Sequence, residues 1–446
     1  MVALLLTVAA RPAAAEDGQL LRDSETELLF KDISRPLIQA AGLDPGSVNV
    51  VLLSDPEINA FVATGQTVYI QAGLIDAADD VGQLQGVIAH ELGHVAGGHS
   101  IRIADGQKEA TGITIATLVL GALAVAAGAG DAGMGIMMAG QQAAMGRYLA
   151  FSRTQESSAD SAGAKYLSAA GVSGKGLIAF FGKLQNQEYR LAIYAKDSYA
   201  RTHPLSSERV VALTQVLRAE PAWNKPPDPA LNARFLRVKA KLFGFSNPGR
   251  AVSKYPESDQ SIPAHYARSY AYHISGYADK AMAEANALLA ADPHDPFFLE
   301  LKGQILLEGG KPAEAIAPLR EATERSQNSP LIAAMLGHAL VETEDRKNFA
   351  EAKQVLRAAV NRDNQNPFAW YQLGVIYDRE GDPARAQLAT AERSNLEDKP
   401  KVALANAEMA MKGIPTGSPD WLRAQDIAMV SRAELKKKKN RKDREE

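Results

Sequence analysis

The sequence contains no cysteine among its 446 residues. Disulfide bonds are therefore impossible, thiolate ligands to a metal are excluded, and the sequence offers no cysteine for lipid attachment. An excess of one charge is also missing, because 49 Lys and Arg nearly balance 52 Asp and Glu and leave a formal net charge of −3. This balance argues against a nucleic-acid-binding surface, which needs clustered positive charge. Any metal bound by this chain must use nitrogen and oxygen ligands.

The N-terminus lacks the positively charged segment that opens a secretion signal, because Met1 leads directly into Val2. The remainder fits such a signal: Val2 to Ala10 is a short apolar run, and three alanines precede Glu16. We therefore predict a signal peptide over residues 1–15, with the true start further upstream, and export to a periplasm. The alternative, an apolar N-terminal helix of a cytosolic protein, fits the alanine-rich end poorly.

The most informative motif is the pentad His90-Glu91-Leu92-Gly93-His94. Residues four apart lie on one face of an α-helix, so His90 and His94 can bind one zinc ion with Glu91 beside it. Apolar residues recur at helical spacing from Val81 to Ala96, and the following Gly97-Gly98 ends the predicted helix. The pattern predicts a zinc metallopeptidase in which Glu91 is the general base for a zinc-bound water that attacks the peptide carbonyl.

A third ligand is predicted at Glu156, with Asp160 one helical turn later. Asp160 is placed to accept a hydrogen bond from the second ring nitrogen of a ligand histidine. Without the upstream pentad, these two carboxylates would be read as a solvated helix face. A third histidine six residues after His94 would indicate a metzincin, but Ser100 stands there. His99 is one place short, so we interpret it as a structural or ligand-orienting histidine.

Two short apolar segments upstream of the pentad, residues 48–53 and 67–70, are predicted to be strands. The second consists of Thr67, Val68, Tyr69 and Ile70. An edge strand next to the metal binds an extended substrate by backbone hydrogen bonds, whatever its side chains. We predict this role for residues 67–70, and hence a preference for unfolded segments.

Residues 111–150 are almost free of charge, and Thr111 to Gly130 carry none. Because His94 and Glu156 must meet at one zinc, this segment cannot cross a membrane once. We predict a helical hairpin beside the active site. Contact with a membrane surface and burial within the protein core are both compatible with it.

The second half of the chain shows a repeat with a period near 34 residues. Four prolines mark it, at spacings of 34, 37 and 33 residues: Pro296, Pro330, Pro367 and Pro400. This period is typical of tetratricopeptide repeats, whose helix pairs stack into a solenoid. The histidines of this half lack metal-ligand spacing and are read as structural.

These motifs resemble the peptidase family of HtpX and the CAAX prenyl proteases. The resemblance rests on the pentad, Glu156 with Asp160, Thr202-His203-Pro204 and Arg209. It implies zinc at His90, His94 and Glu156 with Glu91 catalytic. It also makes His203 the candidate second electrophile for the oxyanion, and suggests that His203 can approach the metal and keep the enzyme latent.

The prediction as a whole is an α+β zincin-like metallopeptidase domain followed by an all-α tetratricopeptide-repeat solenoid. Residues 1–15 are predicted to be the signal peptide and residues 16–220 the metallopeptidase domain. A proline-rich linker with a transition helix follows at 221–260, the repeats occupy 261–432, and residues 433–446 form a basic disordered tail. Family members with secreted catalytic domains and repeats imply misassembled outer-membrane β-barrel proteins as substrates and the barrel assembly machinery as partner. The alternative is a chaperone or docking adaptor that acts through its repeats and has a latent zinc site.

Overall fold

The computed structural model describes residues 19–63, 65–126, 129–191, 203 and 205–445. The predicted signal peptide over residues 1–15 lies outside these ranges, as do Thr202 and Pro204. The chain forms two compact units, one of Leu29–Leu236 and the other of Met1–Leu28 with Arg237–Glu446. Among the described residues, no helix combines the length and the apolarity needed to cross a membrane.

The unit of residues 29–236 contains a small sheet and a set of helices. Its strands are β2 (Asn49–Leu53), β3 (Ala60–Val62) and β4 (Thr67–Gln71), and a two-residue strand β1 (Leu20–Leu21) precedes α1 (Ser24–Ala40). The helices that follow are α2 (Ala72–Ala77), α3 (Val81–Gly97), α4 (His99–Ala126), α5 (Gly130–Ala169), α6 (Lys175–Leu191) and α7 (Ser207–Arg218). This is the predicted α+β metallopeptidase architecture.

The strand order corrects one prediction. Strand β4 pairs in parallel with β2 and antiparallel with β3, so Thr67, Val68, Tyr69 and Ile70 lie in a central strand. Their backbone groups are used within the sheet and cannot bind a substrate strand. Among the described strands, β3 forms the edge of the sheet next to β4.

The predicted hairpin is present as α4 and α5, which pack against each other. Small residues allow the close contact, because a Cβ at Gly140 would lie 2.0 Å from Oγ1 of Thr117. The outer faces carry large exposed apolar side chains such as Leu123 and Met138, each 62% exposed. The alternative of a hairpin buried in the core is therefore wrong.

The other unit contains five antiparallel helix pairs, as the repeat period predicts. They are α10 (Ile262–Ile274) with α11 (Ala278–Ala291), α12 (Pro296–Glu308) with α13 (Pro312–Arg325), α14 (Pro330–Glu342) with α15 (Phe349–Arg362), α16 (Pro367–Arg379) with α17 (Pro383–Leu396) and α18 (Pro400–Gly413) with α19 (Pro419–Glu445). The repeat prolines occupy the first helical position, where their missing N–H is not needed. Glycines at positive φ end the first helices at Gly276, Gly310 and Gly381.

Two segments are more helical than predicted. Within 221–260, a 3₁₀ turn at Pro221–Asn224 is followed by α8 (Pro229–Ser246) and α9 (Pro248–Lys254), because proline at a helix start does not interrupt the helix. The basic segment 433–446 is helical to Glu445 rather than disordered. Its lysines and arginines are good helix formers, and the segment contains neither glycine nor proline.

A buried group of charges lies inside the repeat-containing unit. The Lys241 ammonium is bonded to Asp23, and the Tyr266 hydroxyl donates to Glu25 at 2.7 Å. Glu300 is buried in the same group, and its Oε2 has no hydrogen-bond partner among the described residues. Burial raises the pKa of Glu300 to about 8, and the positive charge of Lys241 offsets only part of this rise.

We expect this carboxyl to make the stability of the chain depend on pH. Because its folded pKa lies above the ordinary value of 4.5, the contribution of Glu300 to stability is fully present below pH 4.5 and is lost as the pH rises toward 8. The loss amounts to about 3 kcal/mol by pH 7. Urea unfolding of Glu300→Gln should lack this part of the pH dependence, whereas Glu314→Gln, an exposed control in the same unit, should keep it. Parallel pH profiles for the wild type and Glu300→Gln would contradict the expectation.

Candidate metal centre

Helix α3 carries the pentad, and it begins and ends as the sequence predicts. The Asp80 side chain accepts a hydrogen bond from the Gln83 amide at the start, and Gly98 at φ 62° ends the helix. His90 and Glu91 are fully buried, and His94 is 9% exposed. The pentad thus lies in the buried part of α3.

Glycines bring α5 close enough to α3 for Glu156 to reach the histidines. A Cβ at Gly93 would lie 2.6 Å from the carbonyl oxygen of Ala159, which no side chain tolerates. A Cβ at Gly163 would lie 3.1 Å from the backbone of Ala89 and His90. The glycine inside the pentad therefore sets the distance between the two ligand-bearing helices.

Four buried side chains meet at one point: His90, His94, Glu156 and His203. Nε2 of His94 lies 3.2 Å from Nε2 of His90 and 3.4 Å from Oε1 of Glu156. Nδ1 of His203 lies 3.3 Å from Nε2 of His90 and 3.1 Å from Oε1 of Glu156. The structure thus brings the three predicted ligands together and adds His203 as a fourth donor.

These distances fit a tetrahedral metal ion. Ligand atoms bound at 2.0–2.1 Å in a tetrahedron are separated by about 3.3 Å, and the donor pairs above are separated by similar distances. Three imidazole nitrogens and one carboxylate oxygen form a donor set that suits zinc. The residues therefore fit the predicted ion, with His203 in the position that a catalytic site would leave open.

Asp160 and Arg209 hold this donor set in place. Oδ1 of Asp160 lies 3.0 Å from Nδ1 of His90, the ring nitrogen that faces away from the other donors. Arg209 donates to both oxygens of Asp160 at 2.8 and 2.9 Å, and its Nη2 lies 3.1 Å from Oε2 of Glu156. Burial would raise the pKa of Asp160, but the hydrogen bonds of His90 and Arg209 outweigh it and lower the pKa. Asp160 is therefore charged when it orients His90.

Glu91 has the surroundings of a proton acceptor. It is fully buried, and neither carboxylate oxygen has a hydrogen-bond partner among the described residues. Burial raises the pKa of Glu91, while the positive charges that His203 and His90 can carry lower it in part. A raised pKa brings a carboxylate closer to the range in which a general base works near neutral pH.

Some contacts at this site could not be predicted from the sequence. Arg209 was noticed as part of the family pattern, but its contacts with Glu156 and Asp160 require the fold. Nδ1 of His99 lies 3.0 Å from Nδ1 of His94, the contact expected of the ligand-orienting histidine that the sequence suggested. Nε2 of His203 lies 3.3 Å from the carbonyl oxygen of Ala60, a backbone contact that residue types cannot signal.

We expect Asp160→Asn to lower zinc affinity by a factor of about 10–100, because the neutral amide binds the His90 ring less firmly. Competition with a chromogenic chelator measures this change. Asp131→Asn makes the same substitution at an exposed position on α5 and should leave the affinity unchanged. Equal affinities for the two variants would mean that Asp160 does not orient the ligand.

Comparison with known proteins agrees with this geometry. Residues 25–217 match the model of Peptidase family M48. The chain is 27% identical over 336 residues to the Beta-barrel assembly-enhancing protease of Escherichia coli, covering 72% of this chain and 66% of that protein. The protein of the same name from Yersinia pestis is 26% identical, with coverages of 83% and 76%. Metalloprotease LoiP of Escherichia coli is 30% identical, covering 39% of this chain and 64% of that protein.

The alignment with the first of these relatives spans slightly less than two thirds of that protein's length. Among solved structures, the alignment with the TPR protein YrrB covers 40% of this chain and 92% of the YrrB chain, at 20% identity and a TM-score of 0.32. A score this low adds nothing to what the helix pairs themselves show. Together, the family match and the curated relatives indicate a metalloprotease domain.

Proposed function

We propose that the peptidase family M48 domain formed by residues 25–217 is a zinc-dependent endopeptidase that cleaves unfolded protein segments. The observation that carries the proposal is the buried cluster of His90, His94 and Glu156 beside the carboxylate of Glu91, which has no hydrogen-bond partner among the described residues. When bound, zinc supplies a Lewis acid that polarises the peptide carbonyl and lowers the pKa of water. Glu91 accepts the proton of the attacking water and returns it to the leaving amine.

The substrate enters as an extended strand along β3. The carbonyl of Asn59 accepts a hydrogen bond from Gln71 of β4, so the next carbonyl, that of Ala60, points away from β4. A substrate strand added to this edge would pair with that outward carbonyl. Backbone pairing of this kind selects segments that are unfolded rather than segments of a particular sequence.

His203 closes the site in the described conformation. Its Nδ1 lies among the metal ligands, and its Nε2 faces the outward carbonyl of Ala60 and lies 3.5 Å from Oε1 of Glu91. One imidazole therefore occupies the fourth ligand position, approaches the base and covers part of the substrate edge. We propose that this state is latent and that substrate binding displaces His203.

The relatives and the repeats support a proposal for the biological role. Proteins named beta-barrel assembly-enhancing protease align with most of this chain. We therefore propose a periplasmic enzyme that degrades misfolded or misassembled outer-membrane β-barrel proteins, with the repeats docking on the barrel assembly machinery. Exposed apolar side chains on the last helix pair, including Val402, Met409 and Met429, supply a surface for a protein partner. Contact of residues 111–150 with a membrane surface stays a prediction that vesicle binding tests.

The experiment that tests the function is removal and return of the metal. The chain from Glu16 onward should cleave an unfolded outer-membrane β-barrel protein when loaded with one equivalent of zinc. Cleavage should stop after chelation and dialysis, and one equivalent of zinc should restore it. Cleavage that survives zinc removal would contradict the proposal.

The second candidate is the chaperone or docking adaptor, which the closed position of His203 favours. It predicts that the zinc-loaded chain suppresses aggregation of the same β-barrel protein without cleaving it. It also predicts that chelation leaves this suppression unchanged, because the repeats carry the activity. Fragment analysis and light scattering on the same samples distinguish the two functions.

A further inference from the structure

One face of α5 carries a row of exposed apolar side chains near the hairpin end. Met134, Met138, Met145 and Leu149 are exposed by 57, 62, 59 and 41%. Large apolar side chains are normally scattered singly on a protein surface, so four on one face need an explanation. We name these four residues the α5 stripe.

The α5 stripe lies on the same side of the helix as the metal ligand Glu156. At about 100° per residue, the four stripe residues fall within an arc of about 60°, and Glu156 falls inside that arc. Leu149 precedes Glu156 by seven residues, or about 10 Å along the axis. The stripe is therefore an extension of the ligand-bearing face of α5.

Different neighbours cover this face along its length. Near the metal it packs against α3, where Gly163 approaches the backbone of Ala89 and His90. Toward the hairpin end none of the described residues covers it in this way, and the side chains of Met134, Met138, Met145 and Leu149 are exposed. The contact with α4 uses another side of the helix, with Gly140 against Thr117 and Met137 against Gly121. The stripe is thus an open surface that begins where the covered metal site ends.

We propose that the α5 stripe binds the apolar side chains of an unfolded substrate segment whose neighbouring peptide bond lies at the metal site. The proposal rests on the proposed peptidase function and adds a substrate class, segments with apolar residues to one side of the cleaved bond. Three of the four residues are methionine, whose flexible and polarizable side chain adapts to varied partners. Exposed polar groups on the same helix, Asp131, Gln141 and Gln142, favour a hydrated protein ligand over lipid chains.

The first test compares two quenched fluorescent peptides that share one cleavable core. One peptide carries a flank of Leu, Val and Phe, and the other carries a flank of Ser and Gly. For Met145→Gln/Leu149→Gln, we expect the ratio of kcat/KM for the apolar peptide to that for the polar peptide to fall about tenfold. The control Leu120→Gln/Ile136→Gln replaces exposed apolar residues outside the stripe, and Ile136 lies on the opposite side of α5. This control should keep the wild-type ratio, and an equal fall in both double variants would overturn the proposal.

A binding measurement separates this proposal from the catalytic one. Peptide binding is measured by fluorescence anisotropy with the zinc-loaded Glu91→Gln protein, which should not cleave. Adding Met145→Gln/Leu149→Gln to Glu91→Gln should raise the Kd for the apolar peptide about tenfold. If the wild type cleaves neither peptide but this binding difference is present, the proposed binding role of the stripe is supported and the proposed peptidase function is wrong. If the stripe variant binds the peptide as tightly as the control does, the stripe proposal is wrong.

The same variants test whether the hairpin binds a lipid surface rather than a peptide. Flotation with vesicles of phosphatidylethanolamine and phosphatidylglycerol in a ratio of 3:1 should give the same recovery for the stripe variant and its control as for the wild type. Loss of vesicle binding in both double variants, with peptide binding unchanged, would make the hairpin a membrane-contact surface and overturn the proposal.

Discussion

Glu91→Gln should lower the rate of cleavage of an unfolded β-barrel protein by a factor of about 10³, while one equivalent of zinc stays bound. The amide keeps the shape of the carboxylate but cannot accept a proton from the attacking water. Glu91 is not among the four clustered donors, so its replacement should leave the metal in place. Mass spectrometry of the fragments and metal analysis on the same preparation measure both quantities.

The same variant should not be less stable than the wild type. The wild-type carboxylate is buried and has no hydrogen-bond partner in the part of the chain that the structure describes, so removing its charge relieves a desolvation cost. Glu208→Gln, at an exposed position on α7, is the matched control and should leave both cleavage and zinc content unchanged. Cleavage by Glu91→Gln at the rate of this control would exclude Glu91 as the base.

His203→Ala should raise the cleavage rate about tenfold or more. The substitution vacates the fourth position of the donor cluster and uncovers the carbonyl of Ala60 at the substrate edge. If the closed arrangement dominates in solution, removing it raises the fraction of competent enzyme by the same factor. Initial rates on the unfolded β-barrel protein measure the change, and His294→Ala, at an exposed histidine, is the control.

The sign of this effect decides between two roles of His203. A latch predicts faster cleavage in the variant, whereas an electrophile that stabilises the oxyanion predicts a lower kcat with little change in KM. A fall in kcat would therefore reject latency and support the role that the sequence first suggested for His203. Tighter binding of a strand-forming peptide to the variant would independently support the latch.

Some features of this site could be predicted because they depend on local spacing. Two histidines four residues apart on a helix share a face in any fold, and apolar periodicity marked α3 to within one residue of its observed end. The repeats were recognisable for the same reason, since each helix pair is one local unit repeated along the chain. Glu156 was predicted as third ligand from its spacing to Asp160, and the resemblance to a known family supported that prediction.

Other features could not be predicted because they depend on contacts distant in sequence. The order of the strands makes β4 central, although the sequence of residues 67–70 is equally compatible with an edge strand and an inner strand. The grouping of residues up to Leu28 with the repeats depends on buried partners such as Lys241 and Asp23. The bonds of Arg209 to Asp160 join two helices that spacing alone does not relate.

The close contact at Gly93 means that possessing the ligands and possessing the site are separate properties. A chain with alanine at this position would still contain both histidines, Glu91 and Glu156, so a search for the pentad pattern would count it as an intact peptidase. Its added methyl group would push α5 away from α3 and carry Glu156 out of reach of the metal. Among relatives with a complete pentad, the residue that precedes the second histidine would then separate chains that bind zinc from chains that retain only the motif.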